Sequence, residues 1–547
     1  MKVRTRLSPE VTADLKVLLG RRTVIQLFGP KHSTVLESLQ RIESAGEVAA
    51  IFYLAVFATK NKRDPSNRAS ETADKLLRPL APSELLVLDQ HARAQYHYED
   101  PELLKALREV APAQLSELTE LHPGAHALLG AMSFHWSGYV REAAVRQLAQ
   151  IRTGDELPFL LIRLNDWIPQ VRTAARQTIQ DRTTPAYAHH FAGNLRLLQQ
   201  LLIWERIDHS TFLRWILEYL RKPECSAALD QRLSSPNPVD RRLAFELLAR
   251  PDYEELASLL GKASQDADPM IRLWAIRKAR NYLPPETLLS MATKAMSDRY
   301  AAIRAQAVYA HVEHGPTEVI SGTLRPFLLD RSASLRSLAR FHLATREPID
   351  FANFYRELIA SDRPSKRAMA IESLGEVGTT SEADLIQKCL AEAHPGVRAA
   401  SIRALSRLDG DRFVGEFVDL LLDESPTVAR AAADALAKRV GLVDHARLWQ
   451  ENANLKPVAA RERVLRIIFD ASKWDGLYYA LSLVDDPEPG IQKLALDHVR
   501  KWTGKFARSS VAATAAQRER VVAALASKTL PFPSEEQRRL SFFVSES

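Results

Sequence analysis

An arginine recurs in the same local setting about every 31 residues, and this period limits the possible folds of the chain more than any other feature. The steps between successive members are 31 or 32 residues, with a single step of 69. These index arginines are Arg141, Arg172, Arg241, Arg272, Arg304, Arg336, Arg367 and Arg398. A fixed period of this length is typical of a repeat protein, in which each unit packs mainly against its neighbours.

The residues around each index arginine predict a helix with one apolar face. A β-branched residue or leucine usually precedes the arginine, and a small residue follows three positions later; around Arg172, the residues Val171, Ala175 and Thr178 lie on one stripe. A proline near the first helical position precedes most of these helices, where its missing N–H costs little. These prolines are Pro169, Pro238, Pro269, Pro364, Pro395 and Pro426.

A second, leucine-rich segment lies upstream of each such helix, for example Glu156–Leu164 and Phe413–Leu422. Each repeat is therefore expected to be two antiparallel helices. The period continues at Ala429, Ala460 and Gln492 although the arginine is lost there. The sequence predicts an all-α fold, a right-handed α-solenoid of about a dozen antiparallel helix pairs.

The regularity of the period suggests boundaries along the chain. We expect divergent helical N-terminal repeats and a cap at 1–135, regular repeats at 136–503, a C-terminal capping helix at 504–530 and a flexible tail at 531–547. One divergent repeat, at Tyr187–Leu220, fills the long step. Terminal repeats are expected to be atypical because they cap the stack.

The net charge of +7 is concentrated at the two ends of the chain. Residues 1–80 hold 14 Lys+Arg against 8 Asp+Glu, and residues 500–540 hold 9 against 3, so each segment carries +6. Residues 541–547 add −1, which leaves −4 for residues 81–499. A basic stripe along the repeats, typical of nucleic-acid binding, is therefore not indicated, although the basic ends leave nucleic acid open as a partner.

Several features favour a cytoplasmic protein without a membrane partner. The 2 cysteines, Cys225 and Cys389, have no second ligand at metal-site spacing and do not indicate a disulfide framework. The amino terminus lacks the apolar core of a signal peptide. The longest apolar run, Val48–Ala58, has 11 residues, whereas a membrane-spanning helix needs about 20, so we interpret it as a buried helix.

The recurring Pro-x-Val-Arg-x-x-Ala helices, each after an aspartate-bearing turn, resemble HEAT repeats of the short type found in the bilin-lyase-like family. The resemblance covers about residues 136–503. It implies the solenoid fold, and proteins similar to this family include scaffolds, chromophore lyases, a hydroxylase and DNA-repair glycosylases.

Aspartates precede the index positions and are expected to form a structural ladder with the arginines. Five stand six residues before an index position and one stands five before it: Asp166, Asp266, Asp298, Asp330, Asp423 and Asp362. Such an aspartate can cap the following helix and can meet an arginine of an adjacent repeat. The alternative is that the index arginines line a groove and bind phosphate or carboxylate groups.

A second group of residues supplies the candidate binding site. Five arginines follow the index position by four or five residues and are expected on a solvated face: Arg146, Arg176, Arg277, Arg340 and Arg403. Trp136 and Trp167 occupy equivalent positions, five before an index arginine. We interpret them as side chains that pack between turns; the alternative, suggested by HEAT-like glycosylases, is that they and Asp166 hold a nucleotide.

No catalytic or metal site is predicted, and no cofactor is expected. The histidines form only short groups: His122 with His126 and His135, His189 with His190, and His311 with His314. The resemblance would imply His-Glu dyads for a hydroxylase, and the sequence has no His-Glu dipeptide. It also lacks a phosphate-binding Gly-rich loop and a nucleophile elbow.

These observations favour a non-catalytic scaffold or adaptor that binds a protein partner along the solenoid surface. A nucleic-acid-binding or DNA-repair HEAT-like protein is the first alternative, based on the basic ends and the Trp136, Trp167 and Asp166 group. A chromophore lyase-like protein is the second, and it rests on the family resemblance.

Overall fold

All regular structure in the described part of the chain is helical. The structure, a computed structural model, describes residues 6–20, 32–61, 63–94, 100–121, 124–203, 208, 210–455, 457–506 and 511–545. No strand occurs in these ranges, so the predicted all-α fold is confirmed. The chain divides into two compact units, Met1–Met291 and Ala292–Ser547.

The first unit contains α1 to α17. Their bounds are α1 Pro9–Leu19, α2 His32–Ala45, α3 Ile51–Ala58, α4 Arg63–Leu77, α5 Leu85–Ala94, α6 Pro101–Arg108, α7 Ala125–Met132, α8 Gly138–Leu148, α9 Leu157–Arg163, α10 Pro169–Gln180, α11 Ala188–Gly193, α12 Leu195–Gln200, α13 Ser210–Leu220, α14 Ser226–Arg232, α15 Pro238–Leu248, α16 Leu256–Ser264 and α17 Pro269–Tyr282. Helix α18, Pro285–Ala295, includes the boundary between the units.

The second unit contains α19 to α33. Their bounds are α19 Ala301–His314, α20 Thr317–Leu324, α21 Ala333–Ala344, α22 Phe351–Ile359, α23 Pro364–Val377, α24 Ala383–Gln387, α25 Pro395–Leu408, α26 Val414–Asp419, α27 Pro426–Leu436, α28 His445–Asn452, α29 Val458–Phe469, α30 Lys473–Leu481, α31 Pro489–Lys505, α32 Ala515–Ala526 and α33 Ser534–Ser545. Short 3-10 segments, such as Leu420–Leu422, complete several first helices.

The helices that carry the index positions, here called the second helices, begin where the sequence predicts. Six of them start at the proline singled out above: α10, α15, α17, α23, α25 and α27. Each second helix packs against the first helix of its own repeat, as α9 does with α10 and α16 with α17. Several second helices also pack against the second helix of the next repeat, as α23 does with α25 and α25 with α27.

Small residues let the second helices approach closely. Val171 and Ala175 of α10 are fully buried. Between α23 and α25, a Cβ placed on Gly375 would lie 2.6 Å from the Cβ of Ala404, a distance that side chains do not adopt. A residue larger than glycine at this position would therefore push the two helices apart.

The apolar run at Val48–Ala58 forms a 3-10 turn and helix α3, and every side chain in it is buried. Helix α3 packs against α4 and α7. The run is therefore part of the protein core, as predicted. Among the helices in the described ranges, none combines the length and apolar character needed to cross a membrane.

The C-terminal segment differs from the expected flexible tail. Pro531 and Pro533 do interrupt the chain, but a further helix, α33, begins at Ser534. Its Leu540 and Val544 are buried, and the ring of Phe543 stacks on that of Phe506 at 4.3 Å. The apolar side chains of α33 lie at helical spacing, so they cover the last helices of the second unit.

Candidate functional site

The index arginines connect neighbouring repeats through the aspartates of the turns. Arg141, on α8, donates from Nε and Nη2 to the two carboxylate oxygens of Asp166, at 2.8 Å each. Its Nη1 donates to the backbone carbonyls of His135 and Trp136 in its own turn, at 3.0 and 2.9 Å. One guanidinium thus joins its own turn to the next turn with bidentate geometry.

The same contact occurs in both units, with the arginine and the aspartate 25 or 26 residues apart in sequence. Two guanidinium nitrogens face two carboxylate oxygens at 2.6–3.1 Å in every pair. This arginine–aspartate ladder consists of Arg141–Asp166, Arg241–Asp266, Arg304–Asp330, Arg398–Asp423 and Arg461–Asp486. The last pair was not predicted from the sequence because Arg461 lies one residue after the index position.

The ladder aspartates accept hydrogen bonds within the turns. They do not cap the following helices, although capping was expected. The Asp266 carboxylate accepts a hydrogen bond from the backbone N–H of Asp268, at 2.8 Å, and its carbonyl accepts from Nη1 of Arg272, also at 2.8 Å. The N-cap of α17 is Asp268, which accepts from the N–H groups of Met270 and Ile271. The ladder aspartate lies two residues too early to reach those groups.

Some members of the predicted ladder depart from this pattern. Arg336 pairs with Glu376, and Arg340 contacts the same carboxylate at 2.9 Å. Asp362, assigned to the ladder by its position, is exposed instead. Glu376 is the carboxylate partner of both arginines at this place in the second unit.

The remaining predicted members keep only part of the pattern. Arg172 donates to the carbonyls of Asp166 and Trp167, at 2.7 and 3.0 Å. Arg367 pairs with Glu392 at 2.5 Å. Asp298 accepts from the N–H of Tyr300 at 2.8 Å.

A buried ionic network in the first unit extends the ladder. Arg163, on the first helix α9, is fully buried; it donates to Asp166 at 2.9 Å and also pairs with Asp89. Burial alone would raise the pKa of Asp166, but the hydrogen bond from Arg141 and the charge of Arg163 outweigh it, so the pKa is lowered. The available sequence signal for this network is an arginine within the leucine-rich segment of α9.

A second set of arginines joins the C-terminal ends of neighbouring second helices. Arg182 is fully buried; it donates to the carbonyls of Ala149 and Ile151, at 3.1 and 2.5 Å, and to Glu156 at 2.6 Å. Arg439 likewise donates to the carbonyl of Ser406 at 2.7 Å. Each side chain satisfies carbonyls that the end of the preceding second helix leaves free. These arginines were not predicted from the sequence, although both lie ten residues after an index position.

The arginines at four or five residues after the index position have different surroundings and do not form one site. Arg146 pairs with Glu142 at 2.6 Å, and Arg403 pairs with Glu372 at 2.8 Å. Arg176 lies over the ring of Phe212, 4.8 Å from its centroid. Arg340 is largely buried beside Glu376. Arg277 is exposed and has no ion-pair partner within the described residues.

Arg277 belongs to a surface that we call the basic–aromatic patch, made of Arg242, Met270, Trp274, Arg277 and Lys278. These side chains lie on two adjacent second helices of the first unit, α15 and α17. Together with Leu273 and Asn281 they line a depression of about 190 Å³. The patch combines three cations with a partly exposed indole and an exposed thioether.

The second unit has an aromatic cluster on its own second helices, made of Tyr309, Phe341 and His342. The rings of Tyr309 and His342 meet edge to face at 6.4 Å, and those of Phe341 and His342 at 5.1 Å. Phe341 is 65% exposed, an unusual state for a phenylalanine. Further along, α29 and α31 border a cleft of about 520 Å³ with charged residues of both signs, among them Glu462, Arg466, Lys493 and Asp497.

The two tryptophans are at the surface and do not pack between the turns as expected. Trp136 and Trp167 are 49% and 62% exposed, and Tyr139 beside them is 80% exposed. The backbone carbonyls of the two tryptophans accept hydrogen bonds from Arg141 and Arg172, so each residue takes part in its turn through the main chain. Asp166 is buried in its ion pairs and is not presented to a ligand beside them.

Comparison with known proteins supports the family assignment. Residues 352–439 match the family model of HEAT repeats. The chain contains HEAT repeats. No curated protein matches the sequence. The short, bilin-lyase-like type remains a prediction.

Solved structures similar to this HEAT-repeat protein include Kap95p with RanGDP, with a TM-score of 0.33 and 12% identity over 98% of this chain and 82% of that chain. A second is importin beta in a polyethylene glycol condition, with a TM-score of 0.33 and 11% identity over 98% of this chain and 81% of that chain. A third is Kap121p, with a TM-score of 0.30 and 10% identity over 98% and 78%. The likeness concerns helical architecture alone.

Among the described histidines, the neighbouring His189 and His190 have ring centroids 3.8 Å apart. His126 is 3.5 Å from Asp74, and His135 contacts the carbonyl of Leu107 at 3.0 Å. Cys225 and Cys389 are buried as free thiols. His122 lies outside the described residues. Within them, no group of three or more His, Cys, Asp or Glu side chains is placed to hold a metal ion.

The ladder predicts how stability depends on pH. The pKa values of Asp166, Asp266 and Asp423 lie below the ordinary value of 3.8, since their arginines outweigh the effect of burial. The stabilising contribution of a depressed carboxyl is complete above its unfolded pKa and is lost as the pH falls through the folded pKa. The free energy of unfolding, measured by urea titration from about pH 5 to pH 2, should therefore fall below about pH 4. Asp266→Asn should flatten this dependence; an unchanged slope would contradict the prediction.

Proposed function

We propose that this HEAT-repeat protein is a non-catalytic scaffold or adaptor that binds a protein partner through the exposed faces of its second helices and the adjoining turns. The observation that carries the proposal is the exposure of large aromatic side chains there: Trp167 and Tyr139 in the first unit and Phe341 in the second. Exposed aromatic side chains on a concave or ridged surface are the usual anchors of protein interfaces.

The energetics of these side chains support an interface. Burying one large apolar side chain contributes about 1.5–3 kcal/mol, and a few such anchors dominate a typical interface. Two or three anchors can outweigh part of the cost of association, which is several kcal/mol. Each of the two units therefore carries enough exposed apolar surface to contribute to binding.

Nucleic-acid binding is the weaker proposal because most index arginines already form ion pairs with carboxylates of the protein. In the ladder pairs, two nitrogens of each arginine bond to a carboxylate of the next turn. A guanidinium neutralised in this way does not release counterions from a phosphate chain. The basic excess at residues 500–540 remains the motive for testing this alternative. The lyase alternative rests on resemblance to the family.

The proposal is tested by photo-crosslinking from defined positions. A photoreactive phenylalanine analogue replaces Phe341 on the second helix α21 or, as the control, Val319 on the first helix α20, which is 53% exposed. We expect position 341 to form an adduct with a protein partner in native extract and position 319 to form none. Phe341→Ala should then weaken the binding of that partner about tenfold, the effect of a moderate anchor.

The alternative functions define the contrary results. Equal adducts from both positions, or none from position 341, would argue against a partner surface on the second helices. A gel-shift titration with duplex DNA and RNA between about 50 and 200 mM salt serves as the second arm. Tight binding that weakens steeply with salt, without a protein adduct, would replace the proposal by nucleic-acid binding.

A further inference from the structure

We propose that the basic–aromatic patch of the first unit binds an acidic peptide segment that contains apolar side chains. The inference deepens the proposed function and rests on it, since it names the chemistry of the partner at one surface. It is argued from three properties of the patch: unpaired cations, a partly exposed apolar floor and a small volume.

Two of the three cations are free to bind an anion. Arg277 and Lys278 have no ion-pair partner within the described residues, and Lys278 lies over the ring of Tyr282 at 5.2 Å. Arg242 shares its charge with Glu246 at 2.9 Å. Neighbouring cations without counter-ions raise the local potential and attract carboxylates. Charge complementarity therefore selects an acidic occupant.

The floor of the depression is apolar and held rigid from below. Trp274 lies against Phe245, with ring centroids 6.0 Å apart, and Leu273 is buried. Met270 is 55% exposed at the edge, and a thioether adapts well to partners of irregular shape. An apolar side chain of the occupant can pack on the indole and thioether while flanking carboxylates meet Arg277 and Lys278.

The volume limits the kind of occupant. About 190 Å³ is below the range of roughly 300–1,000 Å³ typical of pockets for drug-sized ligands and cofactors. A space of this size accepts one or two side chains of a longer chain. A peptide lying across α15 and α17 fits this description better than a free metabolite.

A peptide is also favoured over a nucleic acid at this surface. The acidic Glu246 lies on α15, and Asp268, two residues before Met270, caps α17. Phosphate chains are bound by extended basic surfaces that contact many phosphates, whereas this patch offers three cations next to two carboxylates. A short acidic and apolar segment needs only the two free cations and the indole.

The inference is tested with the full chain and defined peptides. The probe is a short fluorescein-labelled peptide in which leucines alternate with pairs of glutamates, and its binding is followed by fluorescence anisotropy. We expect binding that weakens as salt is raised from about 50 to 300 mM. Arg277→Gln with Lys278→Gln should weaken it about tenfold or more, and Trp274→Ala about tenfold. The matched control is Lys262→Gln, an exposed lysine on the first helix α16, which should leave binding unchanged.

Three results with the peptides would overturn the inference. They are no binding of the acidic peptide to the wild-type chain, equal binding by the Arg277→Gln, Lys278→Gln variant, and tighter binding of a peptide with lysines in place of the glutamates. A labelled single-stranded oligonucleotide that displaces the peptide and binds more tightly would also overturn it in favour of nucleic acid. Crosslinking at position 341 probes the other unit, so a protein adduct there with no peptide binding here would refute this inference and leave the proposed function standing.

Discussion

Replacing Asp166 with alanine is expected to lower the free energy of unfolding by about 3–5 kcal/mol, the usual cost of removing one partner from a buried ion pair. The Asp166 side chain is 0% exposed and faces Arg141, which is 6% exposed, and Arg163, which is 0% exposed. Arg163 keeps its contact with Asp89, but Arg141 loses its only carboxylate in the described residues and remains buried. The cost comes from the charge left without a partner more than from the lost contact itself.

Urea denaturation of the full chain measures this effect, and the ladder provides its own control. Asp362 occupies the corresponding place in the sequence pattern but is exposed, so Asp362→Ala should change the stability by less than about 0.5 kcal/mol. A larger loss of unfolding free energy for Asp166→Ala than for Asp362→Ala would show that the effect depends on burial of the ion pair and not on its place in the repeat. Similar effects of both substitutions would contradict this account.

Replacing Arg182 with methionine is expected to destabilise the protein by about 3 kcal/mol or more. Within the described residues, the fully buried Glu156 carboxylate then loses its cation and keeps the N–H of Gly154 and the hydroxyl of Tyr187 as donors. The carbonyls of Ala149 and Ile151 at the end of α8 also lose their donor. Methionine preserves much of the side-chain volume, so the effect isolates the lost polar contacts from a cavity.

Arg346 is the matched control for this substitution. It lies ten residues after Arg336, as Arg182 lies ten after Arg172, but it is exposed and donates to the carbonyl of His342 in its own helix. Arg346→Met should lower the free energy of unfolding by less than about 0.5 kcal/mol. Urea titration measures this free energy for both the Arg182→Met and the Arg346→Met variant. Equal losses in the two variants would mean that the long side chain matters through packing and not through bonds between repeats.

The helices of this protein could be predicted from the sequence because their signals are local. A proline at the first position and small residues three and four positions apart set the start and the buried face of α10, α23 and α25. The constant period also suggested that a turn aspartate can meet an arginine of an adjacent repeat, but it did not specify the pairs. The apolar run in α3 was recognisable as core for the same reason.

The parts that could not be predicted depend on packing between residues far apart in the chain. Arg163 and Arg182 are ordinary arginines in the sequence, and only the buried surroundings of α9 and α10 give them their partners. Trp136 and Trp167 take part in their turns through backbone carbonyls, and their rings are exposed. The position of α33 depends on which apolar side chains the other helices of the second unit leave exposed.

The sequence by itself determined the repeat, the helix pairs, their phase and the place of each turn, because a helix and its apolar face are specified by neighbours within a few residues. The tertiary structure decided which carboxylate meets Arg336, since Glu376 lies 40 residues away and on a different helix. It also decided that Arg277, Lys278 and Trp274 share one open patch while Arg340 is buried. Such choices depend on the distances between packed helices, which no local pattern specifies.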